Sequence, residues 1–192
     1  MVKRWYLGFL VPALSGCRCC VARINATGGS MGGWLSAMLC TTSDLDTFND
    51  DGEYREQSSA VQAACSWNGS TDWRSIHHER QYHAACFSNE WAFDETDDDY
   101  GVYLTKGDLR IAEQASPITY VSRGDPPILL MTGFCDVVVP PYQHHALYTR
   151  LCNVGVDAQI RIIAGGQHFG PAMINAGTRA MAADFFDKHL SP

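Results

Sequence analysis

The feature that most constrains this chain is its rhythm of short apolar runs alternating with longer stretches of helical spacing. Pro126-Pro-Ile-Leu-Leu-Met-Thr132 is apolar without interruption until its last residue, which predicts a strand buried on both faces, as in a parallel sheet. From Pro141 to Asn153, Leu147 and Leu151 recur at helical spacing, and Gly155 stops the run. Ala158-Gln-Ile-Arg-Ile-Ile163 reads as the last strand. Ala172 to Leu190 reads as the last helix, with Ile174, Ala182, Phe185 and Phe186 as core contacts. Upstream, Ala22-Arg-Ile-Asn-Ala-Thr27 predicts a strand ended by Gly28 and Gly29, and a helix follows from Met31 to about Leu39. Val61-Gln-Ala-Ala-Cys-Ser-Trp67 predicts a second strand, closed by the turn Asn68-Gly-Ser. Strands alternating with helices imply a mainly parallel sheet with helices on both sides.

The chain has 192 residues, the size of one domain with a real core. At 46% hydrophobic and 18% charged, its composition is that of a soluble globular protein rather than a disordered one. A formal net charge of −7 with no basic stripe excludes a nucleic-acid partner, because phosphate neutralisation needs clustered Lys and Arg. Arg74 to Gln114 shows no clear periodicity and is rich in His, Trp, Tyr and acids. A stretch this long inside a domain predicts a cap over a site.

Eight cysteines leave two readings, disulfides or free thiols. Cys17, Cys19 and Cys20 crowd together, while Cys40, Cys65, Cys86, Cys135 and Cys152 stand singly in apolar segments. We take free thiols, since single cysteines behave as small hydrophobes and a chain of this length needs no staples. Lys3-Arg before an apolar run resembles a secretory signal, and Leu14-Ser-Gly-Cys17 resembles a lipoprotein cleavage site. We read residues 1–21 instead as an atypical segment packing on a single domain that spans 1–192, in the cytoplasm. No run approaches the ~20 apolar residues of a membrane span.

The residues that carry chemistry begin at Gly28-Gly29-Ser30-Met31-Gly32-Gly33. This is a G-x-S-x-G pattern between a strand and a helix, the setting of a nucleophile elbow. The tight turn leaves no room for side chains beside it and lifts the Ser30 hydroxyl above the sheet edge. At the helix N-terminus, the Met31 backbone N–H is placed to stabilise a developing oxyanion. Gly29 and Trp34, flanking the elbow, are candidate substrate contacts.

A serine nucleophile needs a base, and the base an orienting acid. Asp136 follows the Pro126–Thr132 strand, where α/β sheets place their ligand-facing residues. His168 lies in the glycine-rich loop Gly165-Gly-Gln-His168-Phe-Gly170, just after the last strand. Asp72, after the second strand, is the rival acid. His77, His78 and His83 with Asp97, Asp98 and Asp99 match no metal-ligand spacing and read as a solvated cap surface. Asn25-Ala-Thr and Asn68-Gly-Ser match the glycosylation sequon, the first by chance inside a strand.

From about Arg23 to His189 the chain resembles the esterase/lipase branch of α/β-hydrolases that includes acetyl esterases and feruloyl-esterase-like proteins. Besides the elbow and the Asp136 and His168 loops, the similar segments are Gln57-Ser-Ser-Ala-Val-Gln62, Gly69-Ser-Thr-Asp72 and Ser116-Pro-Ile-Thr-Tyr120. Asp125-Pro-Pro127 and Phe185-Phe-Asp-Lys-His189 are similar as well. The resemblance implies a three-layer α/β-hydrolase-type sheet with a cap, and the family's triad on Ser30, Asp136 and His168. It implies a serine esterase that hydrolyses short-chain carboxylic esters through an acyl-enzyme and uses neither cofactor nor metal. The chain departs from the family before the elbow. Members carry further strands there and an H-G-G-G-type loop that supplies a second oxyanion donor. Only 27 residues precede Gly28 here, and they contain no His-Gly-Gly run. We therefore expect an N-terminally reduced sheet that self-associates as a homo-oligomer to cover its open edge. Two rival functions remain: a hydrolase-fold remnant that binds or assembles without turnover, and a prolyl-oligopeptidase-like peptidase.

Overall fold

The structure, a computed structural model, describes residues 24–43, 45, 58–76, 78–80, 82 and 108–190. Its elements, in chain order, begin with β1 (Asn25–Gly29), α1 (Met31–Thr41), β2 (Ala63–Trp67) and α2 (Leu109–Gln114). After a 3-10 turn over Pro117–Tyr120 come β3 (Ile128–Gly133), α3 (Pro141–Val154), β4 (Ala158–Ile163) and α4 (Ala176–Leu190). Among the described residues the sheet has four strands in the order β1-β2-β3-β4, all parallel. Parallel pairing brings the carboxyl ends of all four strands to one edge, where α/β sheets hold their sites.

β3 carries the centre. All six of its residues are buried. Alternation sends Ile128 and Leu130 to one face, where they meet Ala37, Leu39 and Cys40 of α1 and Leu147 and Leu151 of α3. Leu129 and Met131 go to the other face, against Met173 and against Ala182 and Phe185 of α4. One sheet between two helical layers is the three-layer arrangement expected from the rhythm of the sequence.

The boundaries have local causes. The last turn of α1 is closed by hydroxyls that bond back one turn: Thr41 to the Ala37 carbonyl, Thr42 to Met38 and Ser43 to Leu39. α3 starts on Pro141, whose missing N–H costs nothing at a first helical position, and ends at Gly155 with φ 87. β1 corrects the expected Ala22–Thr27 strand. It runs on through Gly28 and Gly29 because they still pair, with Ser66 and Trp67. β2 starts at Ala63, two residues later than the expected Val61. α4 starts at Ala176 rather than Ala172. The Asn175 carboxamide oxygen accepts from the Thr178 N–H and the Thr178 hydroxyl from the Asn175 N–H, a reciprocal cap that fixes the start there. Ile174 therefore precedes the helix and is exposed rather than part of the core.

Cys40, Cys65, Cys135 and Cys152 are free thiols, and the other four cysteines lie outside the described residues. Cys40 and Cys65 are buried as expected, but Cys152 is exposed, on the side of α3 away from the Leu147–Leu151 stripe. The expected cap, 74–114, is described only at its ends. There Trp73, Ile76 and Ala112 pack with Val139, and Trp34 of α1 lies against them. Residues 1–21 also lie outside the described residues. No helix among the described residues is long and apolar enough to cross a membrane.

Candidate active site

Ser30 sits between β1 and α1 with φ 56 and ψ −118, a conformation that side chains other than glycine seldom adopt. Two main-chain bonds hold the turn. The Ser30 N–H donates to the Trp67 carbonyl at 2.8 Å, and the Ser30 carbonyl accepts the Trp34 N–H at 2.9 Å. Tightness is what demands Gly28, since a Cβ there would lie 2.7 Å from the Gly32 carbonyl carbon. Met31 opens α1, so its N–H has no carbonyl within the helix to meet.

His168 closes a hydrogen-bonded relay. Its Nε2 lies 2.9 Å from Ser30 Oγ and its Nδ1 2.8 Å from Asp136 Oδ2. Asp136 is completely buried, and its second oxygen accepts the N–H groups of Val138 and Val139, each at 2.9 Å. Three donors on one buried carboxylate hold it in a fixed orientation. With the acid at Nδ1, the imidazole carries its proton there and offers Nε2 to the serine hydroxyl. Such a relay can take the Ser30 proton and stabilise the imidazolium that forms.

The acid and histidine loops are bonded to each other. The Phe134 N–H donates to the Ile163 carbonyl and the Cys135 N–H to the Gly166 carbonyl, at 3.0 and 2.8 Å. Gly133 makes this possible, because a side chain there would strike the backbone of Gly166 and Gln167.

The rival acid, Asp72, is not part of the relay. Its carboxylate forms a two-pronged pair with Arg74, at 2.9 Å on each prong. Gly29 lies under Phe169, whose ring edge is 3.3 Å from where a Gly29 Cβ would be. The same ring meets His168 edge-on at 4.6 Å. Trp34 gives its indole N–H to the Ala115 carbonyl at 2.7 Å, tying the elbow helix to the end of the cap segment. No group of His, Cys, Asp and Glu that could hold a metal occurs among the described residues. His77, His83 and Asp97 to Asp99 lie outside them.

Three buried polar residues near the site were not singled out for a role in the sequence. Asn68 follows β2 with φ 48 and bridges the histidine loop to β3. Gln143 accepts the Thr71 and Asp72 N–H groups at 2.8 Å and donates to Glu79, so it fastens the start of the cap segment to α3. His144 accepts the Gly69 N–H at its Nε2, 3.2 Å away, with the Ser66 hydroxyl at 3.1 Å. Burial pushes its imidazole from the ordinary 6.5 down to about 3. A signal for the last two existed. Stepping back from Leu147 by three and four residues lands on His144 and Gln143, which places both on the buried stripe of α3.

The family profile of BD-FAE matches residues 9–151, about three quarters of the chain. The chain belongs to the BD-FAE family. Its fold is that of α/β-hydrolase esterases, and solved structures agree. A truncated form of a carbohydrate esterase from gut microbiota superposes with a TM-score of 0.74 at 24% identity, over 100% of this chain and 67% of that one. Esterase 2 of Thermogutta terrifontis gives 0.59 at 22% identity, over 86% of this chain and 55% of that one. The acylaminoacyl peptidase of Pyrococcus horikoshii gives 0.61 at 22%, over 88% of this chain and 24% of that one. This BD-FAE chain thus spans from about a quarter to two thirds of these proteins, which share its fold. None of the curated proteins compared matches it.

Proposed function

We propose that this BD-FAE chain is a serine esterase that hydrolyses short-chain carboxylic esters through an acyl-enzyme on Ser30. One observation carries the reading: an unbroken hydrogen-bonded line from Ser30 Oγ through the His168 ring to a fully buried Asp136. In the proposed reaction His168 Nε2 takes the Ser30 proton as Oγ attacks the ester carbonyl. The Met31 N–H, at the head of α1, stabilises the tetrahedral oxyanion. The imidazolium returns its proton to the departing alkoxide, leaving the acyl group on Ser30. Water then attacks the acyl carbonyl, giving its proton to His168, and Ser30 Oγ leaves with that proton to release the acid. Asp136, at His168 Nδ1, holds the imidazole in the useful tautomer. Short acyl groups are proposed from the resemblance to acetyl esterases.

The test is hydrolysis of p-nitrophenyl acetate beside a longer acyl ester and an aminoacyl anilide, by the wild type and Ser30→Ala. The wild type should prefer acetate and label at Ser30 with a serine-directed phosphonate, while Ser30→Ala should be inactive yet folded. Near-full activity in Ser30→Ala would refute the reading. A folded wild type inert toward all three substrates would favour a binding module instead, and preference for the anilide a peptidase.

A further inference from the structure

We propose that Asn68 is a positioning residue for the base of this site, acting through the main chain of His168. The inference rests on the proposed role of His168. Asn68 is the first residue after β2. Its own N–H donates to the Met131 carbonyl at 2.8 Å, extending the β2–β3 pairing by one residue. There the chain turns with φ 48. The side chain is 1% exposed, so its amide must find partners within the protein.

Both ends do. The carboxamide oxygen accepts the Gly133 N–H at 3.0 Å. A backbone N–H can only donate, so this contact fixes which way the amide faces. The NH₂ end then donates to the main-chain carbonyl of His168. One short side chain thus spans from the last residue of β3 to the peptide unit that joins His168 to Phe169. The ring of His168 is held from its other side by Asp136 and Ser30.

That hold matters because of the loop it acts on. Gly165 has φ 68 and Gly170 φ 114, and Gly166 lies between Gly165 and His168. Glycines leave a backbone more ways to move than other residues do. Asp136 fixes the tip of the imidazole, whereas Asn68 fixes the peptide from which the side chain springs. Only with both fixed does Nε2 stay 2.9 Å from Ser30 Oγ. The same peptide plane sets Phe169, whose ring lies against His168 and over Gly29. The residue type follows from three demands made together: a tolerated left-handed φ, one donor and one acceptor, and a side chain short enough to stay at the turn.

Asn68→Gly is the informative variant, because it accepts the positive φ and removes only the amide. Misplacing a reacting group by about 1 Å can cost about 100-fold in rate. The proposal therefore predicts a kcat for p-nitrophenyl acetate lower by about 10- to 100-fold per titrated site, with KM nearly unchanged. Labelling of Ser30 by the phosphonate should slow by the same factor. Asn68→Asp gives a second measurement should the glycine variant fold poorly. As a carboxylate it repels the His168 carbonyl, and only its protonated form can donate. Its activity relative to wild type should rise as pH falls from 8 to 5. A wild-type kcat per titrated site in Asn68→Gly, a loss confined to KM, or a flat Asn68→Asp ratio would each overturn the proposal. Ser30→Ala separates the two levels. If it abolishes activity while Asn68→Gly does not impair it, this inference alone fails. If Ser30→Ala stays active, the esterase reading itself fails.

Discussion

His144 should make the fold sensitive to mild acid, and the size of the effect can be worked from its surroundings. It is buried in α3, its Nε2 already receives the Gly69 N–H, and its Nδ1 meets no partner among the described residues. A proton on Nε2 would set N–H against N–H. Burial accordingly holds the folded imidazole near 3 against an ordinary 6.5. Between those values the unfolded chain binds a proton that the folded chain refuses, so stability is fully present above about pH 6.5 and falls as pH drops toward 3. The slope is about 1.4 kcal/mol per pH unit, which amounts to about 2 kcal/mol lost between pH 7 and pH 5. His144→Gln keeps an acceptor for Gly69 and removes the titration. Urea unfolding followed by tryptophan fluorescence at both pH values should show the wild type losing about 2 kcal/mol more than the variant. For a domain of this size that corresponds to a difference of roughly 4–8 °C in melting temperature. Equal losses in the two proteins would refute the reasoning, since the other titrating groups are common to both.

Two further substitutions probe the relay. Asp136→Asn can still accept from Val138 and Val139, but its NH₂ would face His168 Nδ1 and move the ring proton to Nε2, toward Ser30. Its kcat should fall by about 10⁴-fold with little change in melting temperature, and a loss under tenfold would count against Asp136 as the orienting acid. Gly133→Ala would press a methyl group into the backbone of Gly166 and Gln167. It should destabilise the protein by about 1–3 kcal/mol and reduce esterase activity, both measurable on one preparation. Unchanged stability would mean that the two loops are not as tightly opposed as the structure has them.

Much of this was legible because parallel sheets bring chemistry to strand ends. Ser30, Asp136 and His168 each lie just past a strand, and the run before Asp136 is the easiest to find because all six residues of β3 are buried. β4 matched its expected residues because its ends are set by Gly155 on one side and Gly165 on the other. The rest depended on distance in sequence. Whether Asp72 or Asp136 meets the imidazole is decided by loop paths that periodicity does not encode. Asn68 read as a turn residue, which it is, but its partners lie 65 and 100 residues away. Ile174 looked like a core contact because an apolar residue four before Thr178 fits a helix that the Asn175 cap does not allow to begin.

The span between Ser30 and His168 also governs when the site can exist. They are 138 residues apart, and the loop that carries the histidine follows the last strand. As the chain emerges from the ribosome, the serine appears long before the group that would activate it. A nascent chain halted anywhere before β4 would hold Ser30 without the His168 ring beside it. On the proposed mechanism, Ser30 gains its base only when β4 pairs with β3 and brings the His168 loop into place, so that one pairing would decide when the site forms.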